Sequence, residues 1–192
     1  MRKIFAFLMI TADGYHATSE GDLFWHNVDD EFHEFALAQL DAADTLLFGR
    51  ATYQGMAEFW SSPVALEEDP AMTERMNRYR KVVVSSTLAA TEWTPSTLIR
   101  DDVISQLTSL KEESGKDIAL LGSSTLAAGL LTAGLIDELR LMVNPVVLGS
   151  GQQVLAGAEL KSLQLLRTRQ FASGNVLLTY RPRPKPGDHH PR

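Results

Sequence analysis

The chain has 192 residues, 44% of them hydrophobic and 22% charged, with no cysteine. This composition excludes collagen-like, coiled-coil and wholly disordered chains, and one domain is the default at this length. The absence of cysteine removes disulfides, thiolate zinc sites, iron–sulfur clusters and thiol nucleophiles together. The net charge of −6 averages two unlike parts. Residues 181–192 carry four basic residues and one acid, so the body before them is at −9. A body that acidic is a poor general partner for nucleic acid, whose binding rests on neutralised phosphates. No apolar run reaches the roughly 20 residues of a spanning helix. The first residues lack the small-residue cleavage site of a signal peptide, and a cytoplasmic protein is expected.

Residues Ile4 to Ile10 are continuously apolar, as in a strand buried on both faces at the centre of a sheet. Thr11-Ala12-Asp13-Gly14 closes that strand with a turn, and 15–28 reads as a loop holding Phe24, Trp25 and His26. Asp29 or Asp30 starts a helix to about Leu40, with Phe32, Phe35, Ala36 and Leu40 on its apolar stripe. Thr45 to Phe48 is a short buried strand, and Gly49-Arg50 opens a second helix to about Phe59. Ser61 to Pro70 reads as a loop, followed by a helix to about Arg78.

Lys81 to Ser85 is a buried strand, and Asp101-Asp102 starts a helix ending near Ser114-Gly115. The strand Asp117 to Leu121 runs through Gly122-Ser123-Ser124 into a helix over Thr125 to Ala133, which Gly134 stops. Leu139 to Val143 is a strand. Leu163 to Phe171 and Asn175 to Tyr180 form a closing hairpin around Ser173-Gly174. Alternating strands and helices predict an α/β fold with a mixed sheet. The Pro- and Arg-rich stretch from Pro182 to Arg192 is expected to be a disordered tail after a single domain over 1–181.

In an open α/β sheet, ligands lie beyond the carboxyl ends of the strands. Three such ends carry small residues and hydroxyls: Gly49-Arg50-Ala51-Thr52, Ser85-Ser86-Thr87 and Gly122-Ser123-Ser124-Thr125. Helix starts offer free N–H groups to phosphate, and Arg50 adds a fork of donors. Three such corners side by side suit a dinucleotide. Taken singly, each has a plainer reading: a helix cap for Ser123 and Ser124, a surface ion pair for Arg50, a turn for Ser85 to Thr87. The G-x-G-x-x-G fingerprint is absent after the first strand, which disfavours a standard dinucleotide fold.

In this order and spacing, the motifs resemble the dihydrofolate reductase superfamily, and most closely its branch related to the reductase domain of bacterial riboflavin biosynthesis. The matching segments are 9–14, 43–53, 81–86, 120–139 and 144–151, the last reading Asn144-Pro145-Val146-Val147-Leu148-Gly149-Ser150-Gly151. The resemblance implies three α/β/α layers around a mixed, mostly parallel sheet of about eight strands with a C-terminal antiparallel hairpin. It implies NADPH across the strand ends, hydride transfer to a pteridine- or aminopyrimidine-like heterocycle, and no resident metal. Carried over by position, Arg50 and Thr52 hold phosphates, and Ser85 and Ser86 lie near the adenosine ribose and its 2′-phosphate. Gly122, Ser123, Ser124 and Thr125 wrap the pyrophosphate; Ser123 departs from the glycine of dihydrofolate reductase proper.

The resemblance also implies a catalytic acid on the first helix: Glu31 falls nearest its register, with His33 competing, and Asp13 is a second candidate at the end of the first strand. Trp25 and Phe35 are candidates to bind a flat substrate. Acids in a first helical turn also serve simply to offset the helix dipole. A nucleotide-binding protein without turnover is the alternative function. An interaction module is a third, and the apolar stretches 139–148 and 176–180 suggest a homodimer.

Overall fold

The computed structural model describes residues 1–183, so the expected disordered tail lies almost wholly outside the described residues. The first strand, β1 (Ile4–Thr11), shows how the core is divided. Its side chains alternate across the sheet. Phe5 and Phe7 join one hydrophobic cluster, while Ile4, Ala6, Leu8 and Ile10 join another on the opposite face. A strand covered twice has no polar side, which is why the run is unbroken.

The remaining strands are β2 (Tyr15–Ala17), β3 (Ala43–Gly49), β4 (Arg80–Val84), β5 (Ser96–Ile99), β6 (Asp117–Leu121), β7 (Glu138–Asn144), β8 (Gln152–Gln153), β9 (Leu163–Gln170) and β10 (Val176–Pro182). Eight of them form one sheet in the order β5-β4-β3-β6-β1-β7-β10-β9, and β2 pairs with β8 apart from it. Pairings from β5 across to β7 are parallel, and β10 runs antiparallel to both β7 and β9.

The helices are α1 (Asp30–Asp41), α2 (Arg50–Trp60), α3 (Pro63–Glu68), α4 (Pro70–Arg78), α5 (Val103–Glu112) and α6 (Ser124–Thr132). Apolar residues of α1, α2 and α4 pack on the Phe5/Phe7 side, and those of α5 and α6 pack on the other. The result is the expected α/β sandwich with a mixed eight-stranded sheet and a C-terminal antiparallel hairpin.

Four details differ from the sequence reading. The segment 15–28 begins with β2 (Tyr15–Ala17) rather than being loop throughout. The segment 61–70 contains α3, started by Pro63 after the Ser62 cap, whose hydroxyl accepts the Ala65 amide at 3.2 Å. Strand β5 escaped notice because Ser96-Thr97-Leu98-Ile99 is an edge strand with little apolar pattern. The last hairpin also continues past Tyr180: Pro182 pairs with Leu163, and the Arg183 amide donates to the Ser162 carbonyl at 2.8 Å. Pro182 is tolerated because it ends the strand, where a missing donor costs the ladder little.

Candidate functional site at the sheet switch point

The carboxyl ends of five neighbouring strands lie in a row. In sheet order they carry Ser85 after β4, Gly49-Arg50 at β3, Gly122-Ser123 after β6, Thr11 to Asp13 at β1, and Asn144 at β7. The three corners singled out from sequence are therefore three adjacent strands. Strand β3 feeds α2 on one face of the sheet, and its neighbour β6 feeds α6 on the other. Chains departing to opposite faces open a crevice between them, the usual ligand position in open α/β sheets.

Both helices at that crevice start without a side-chain cap and with no acid in the first turn. Of the other helices, α1, α3 and α4 are capped by Asp29, Ser62 and Asp69, and α5 starts after Asp102 without a side-chain cap. Uncapped first turns leave N–H groups and a partial positive charge for an anion. Gly122 sits between the two helix starts at φ +63°, and a Cβ there would stand 3.3 Å from the Thr52 methyl. The backbone thus makes a close, strained turn that suits glycine.

The predicted hydroxyls divide into two groups. Ser123 Oγ donates to the Leu121 carbonyl at 3.2 Å and accepts the Gly49 amide at 2.9 Å. Ser124 Oγ accepts the Leu155 amide at 2.7 Å. Ser85 Oγ accepts the amides of Thr87 and Leu88 at 3.2 and 3.0 Å. These three buried serines are engaged with the chain's own backbone and shape the corners. Arg50, Ser86 and Thr125 are exposed and Thr52 is half-buried, and none has a side-chain polar partner among the described residues.

The two acids singled out for catalysis are not brought together. Asp13 accepts from the Thr11 hydroxyl at 2.6 Å, from the Gly149 amide at 2.7 Å and from the Leu148 amide. These donors, Thr11 and Gly149 foremost, hold its carboxyl down at about 2. Glu31 accepts the Ala172 amide at 2.8 Å and pairs with Arg169 at 2.9 Å. Both contacts, the Ala172 amide first, hold it below the usual carboxylate range. A carboxylate kept ionised is a poor proton donor near neutral pH, so neither acid is poised as a general acid in this arrangement. His33 Nε2 lies 2.7 Å from Asp69 Oδ2, joining α1 to α4.

Trp25 is 6% exposed and meets His26 edge to face at 4.5 Å, so its ring is not an open stacking surface. Phe35 packs among Phe7, Phe32 and Phe171 with ring centroids 5.7–6.4 Å away. Burial holds His26 neutral, with its pKa lowered to about 4. Sequence reasoning missed an asparagine lock beside these rings. Asn144 Oδ1 accepts the Asn27 amide at 2.9 Å, Asn27 Nδ2 donates to the Ser173 carbonyl at 2.9 Å, and Asn175 Nδ2 donates to the Asn27 carbonyl at 2.7 Å. Asn144 enters the sequence reading only within the matching segment 144–151, and nothing local in the sequence links it to Asn27.

The model of the RibD C-terminal domain matches residues 2–177. The chain belongs to that family. The Bacillus subtilis protein YyaP is 30% identical over 186 residues, which is 93% of this chain and 94% of YyaP. Among solved structures, a Shewanella sp. PV-4 protein whose name assigns it to riboflavin biosynthesis superposes with a TM-score of 0.71 at 21% identity, covering 95% of this chain and 99% of that one. Dihydrofolate reductase of Enterococcus faecalis, solved with NADP(H), superposes with a TM-score of 0.60 at 15% identity, covering 94% and 96%. At those identities the two structures speak for the fold. Among the described residues no helix is long and apolar enough to cross a membrane, and no cluster of His, Asp or Glu could hold a metal.

Proposed function

We propose that this RibD-family chain is an NADPH-dependent reductase that passes a hydride to a small pteridine- or aminopyrimidine-like heterocycle. One observation carries the reading: two uncapped helix starts meet at Gly122, beside Arg50, which has no acid to pair with. The cradle at Gly122 fits a group that must approach the backbone closely. When bound, the nicotinamide supplies the hydride; the protein supplies position and exclusion of water.

Arg50, Ser86, Thr52 and Thr125 are the groups we assign to direct contact with phosphate and ribose oxygens. Ser85, Ser123 and Ser124 support them from beneath by fixing the three corners. An unpaired arginine beside Ser85 and Ser86 favours the extra 2′-phosphate of NADPH over NADH. We place the substrate on the α1 side of the crevice, with Asp13 and Glu31 as orienting carboxylates, Phe35 as the apolar wall, and water as the proton source. A cytoplasmic site of action is part of the same reading.

A homodimer is also proposed. Leu141, Val143, Leu178 and Tyr180 lie half-exposed on the sheet face over β7 and β10, where an isologous partner would cover them.

The alternative is a nucleotide-binding protein without turnover, favoured by the engagement of both carboxylates with backbone amides. Thermal unfolding with NADPH, with NADH and without either tests the cleft. A ligand at 100 times its Kd adds about 2.7 kcal/mol. Stabilisation together with NADPH oxidation by dihydropteridines or aminouracils supports the reductase. Stabilisation without oxidation across that panel supports the alternative, and no stabilisation overturns both.

A further inference from the structure

Asn27, in the segment that leads into α1, is held by its amide, its carbonyl and its side chain at once. The amide donates to Asn144 Oδ1 at 2.9 Å, the carbonyl accepts from Asn175 Nδ2 at 2.7 Å, and Asn27 Nδ2 donates to the Ser173 carbonyl at 2.9 Å. Asn144 and Asn175 are both 0% exposed, so water does not compete for their side chains. Asn144 is tied in turn to the end of β1: its Nδ2 donates to the Ile10 carbonyl at 3.2 Å, and its register partner across the strands is Thr11. The Thr11 hydroxyl donates to Asp13 at 2.6 Å. One end of this relay is therefore the Asp13 carboxylate.

The other end is Glu31. Ser173 and Asn175 belong to the turn between β9 and β10, which is closed by the Phe171 amide on the Asn175 carbonyl at 2.9 Å and the Gly174 amide on the Phe171 carbonyl at 3.0 Å. The same turn presents the Ala172 amide to Glu31 Oε2 at 2.8 Å, and β9 presents Arg169 to Glu31 Oε1 at 2.9 Å. A carboxylate gripped at both oxygens cannot swing, so its place follows the turn. The Arg169 guanidinium also lies 4.4 Å from the centre of the Phe171 ring and 5.8 Å from that of Phe35. The side chains of Arg169 and Glu31 are 44% and 33% exposed, which leaves the carboxylate open to a ligand. Ser85, Ser123 and Ser124, which shape the nucleotide corners, bond elsewhere.

We propose that Asn27 is a positioning residue: it fixes the 171–175 turn against the end of β7, and through that turn it sets the Glu31 carboxylate at a fixed place relative to Asp13. Asn27 touches no substrate and acts only through Glu31. The proposal rests on the reductase reading where it gives Glu31 a substrate to orient; the hold on Glu31 itself does not depend on that reading.

The test is Asn27→Ala in the full chain, which keeps both backbone bonds of Asn27 and removes only the donor to Ser173. Asn27→Leu fills a similar volume without that donor and is read in the same way, so a packing loss in the alanine variant does not decide the result. Carbon-13 NMR of the side-chain carboxyls follows the titration of Glu31, identified by the signal lost in Glu31→Gln. In the parent, the Ala172 amide and then Arg169 hold Glu31 below the usual carboxylate range, with Asp29 as the opposing charge. Either Asn27 variant should move that titration up towards the ordinary range and lower kcat/KM about tenfold or more for any dihydropteridine or aminouracil that the parent reduces. NADPH-induced stabilisation should stay unchanged. Asn27→Ala/Glu31→Gln should be no slower than Glu31→Gln alone, because contributions that pass through one group do not add. An unmoved Glu31 titration, an undiminished kcat/KM or additive losses in the double variant overturns the proposal. If the parent reduces nothing in the panel, the reductase reading fails, and the Glu31 titration still decides whether Asn27 positions that carboxylate.

Discussion

The Ser123 hydroxyl accepts the Gly49 amide at 2.9 Å across two adjacent strands, and so fixes the start of α2 against the start of α6. The contact is partly buried and spans 74 residues of sequence. Ser123→Ala removes the acceptor and leaves the Gly49 donor without its partner. The expected loss is about 1–2 kcal/mol in urea unfolding, with NADPH affinity reduced several-fold because the two helix starts lose their register. Unchanged stability and affinity together would show that the serine is incidental.

Arg50 makes the opposite prediction. It is exposed and contacts no acid, so Arg50→Ala should change stability by no more than about 0.5 kcal/mol. The same variant should lose most of the NADPH-induced shift in unfolding temperature. A retained shift would remove Arg50 from the phosphate site.

Asp13 ties the end of β1 to the 148–149 turn through hydrogen bonds that require its ionised form. Its pKa of about 2 lies below the usual 3.8, so the unfolded chain binds this proton first as pH falls. The stabilisation it gives is present above about pH 4 and is lost as pH falls towards 2. Unfolding measured across that range should show this loss in the parent chain, and Asp13→Asn should lack it.

Lys81 titrates at the other end of the scale. Burial lowers its pKa from 10.5 to about 8, so between those values the unfolded chain holds a proton that the folded chain has released. Stability should therefore rise as pH climbs from about 8 towards 10.5. Lys81→Met should abolish that rise, because a thioether fills similar space without a charge. A parent chain whose stability stays flat over this interval would contradict the assignment.

Much of the fold is written in local patterns. The unbroken apolar run at Ile4 to Ile10 can be read because a strand covered on both faces needs no polar side, and the helix start at Asp29 can be read because capping chemistry is local. Strand β5 and the β2–β8 pair are not legible in the same way: each is short, and each is held by neighbours distant in sequence.

The candidate site divides along the same line. Zero cysteines excluded thiol chemistry and an acidic body argued against general nucleic-acid binding without any coordinates, and the spacing of the glycine and hydroxyl corners was enough to suggest a dinucleotide crevice. Only the tertiary structure could sort those hydroxyls into Ser85, Ser123 and Ser124, which are held by the backbone, and Ser86, Thr52 and Thr125, which are free. Only it could show Asp13 and Glu31 fixed by amides from 135 or more residues away, or Lys81 buried without an acid. The physical reason is the same in each case. Capping and periodicity depend on residues a few places apart, whereas the partner of a hydroxyl or carboxylate is set by which distant strands the sheet places side by side.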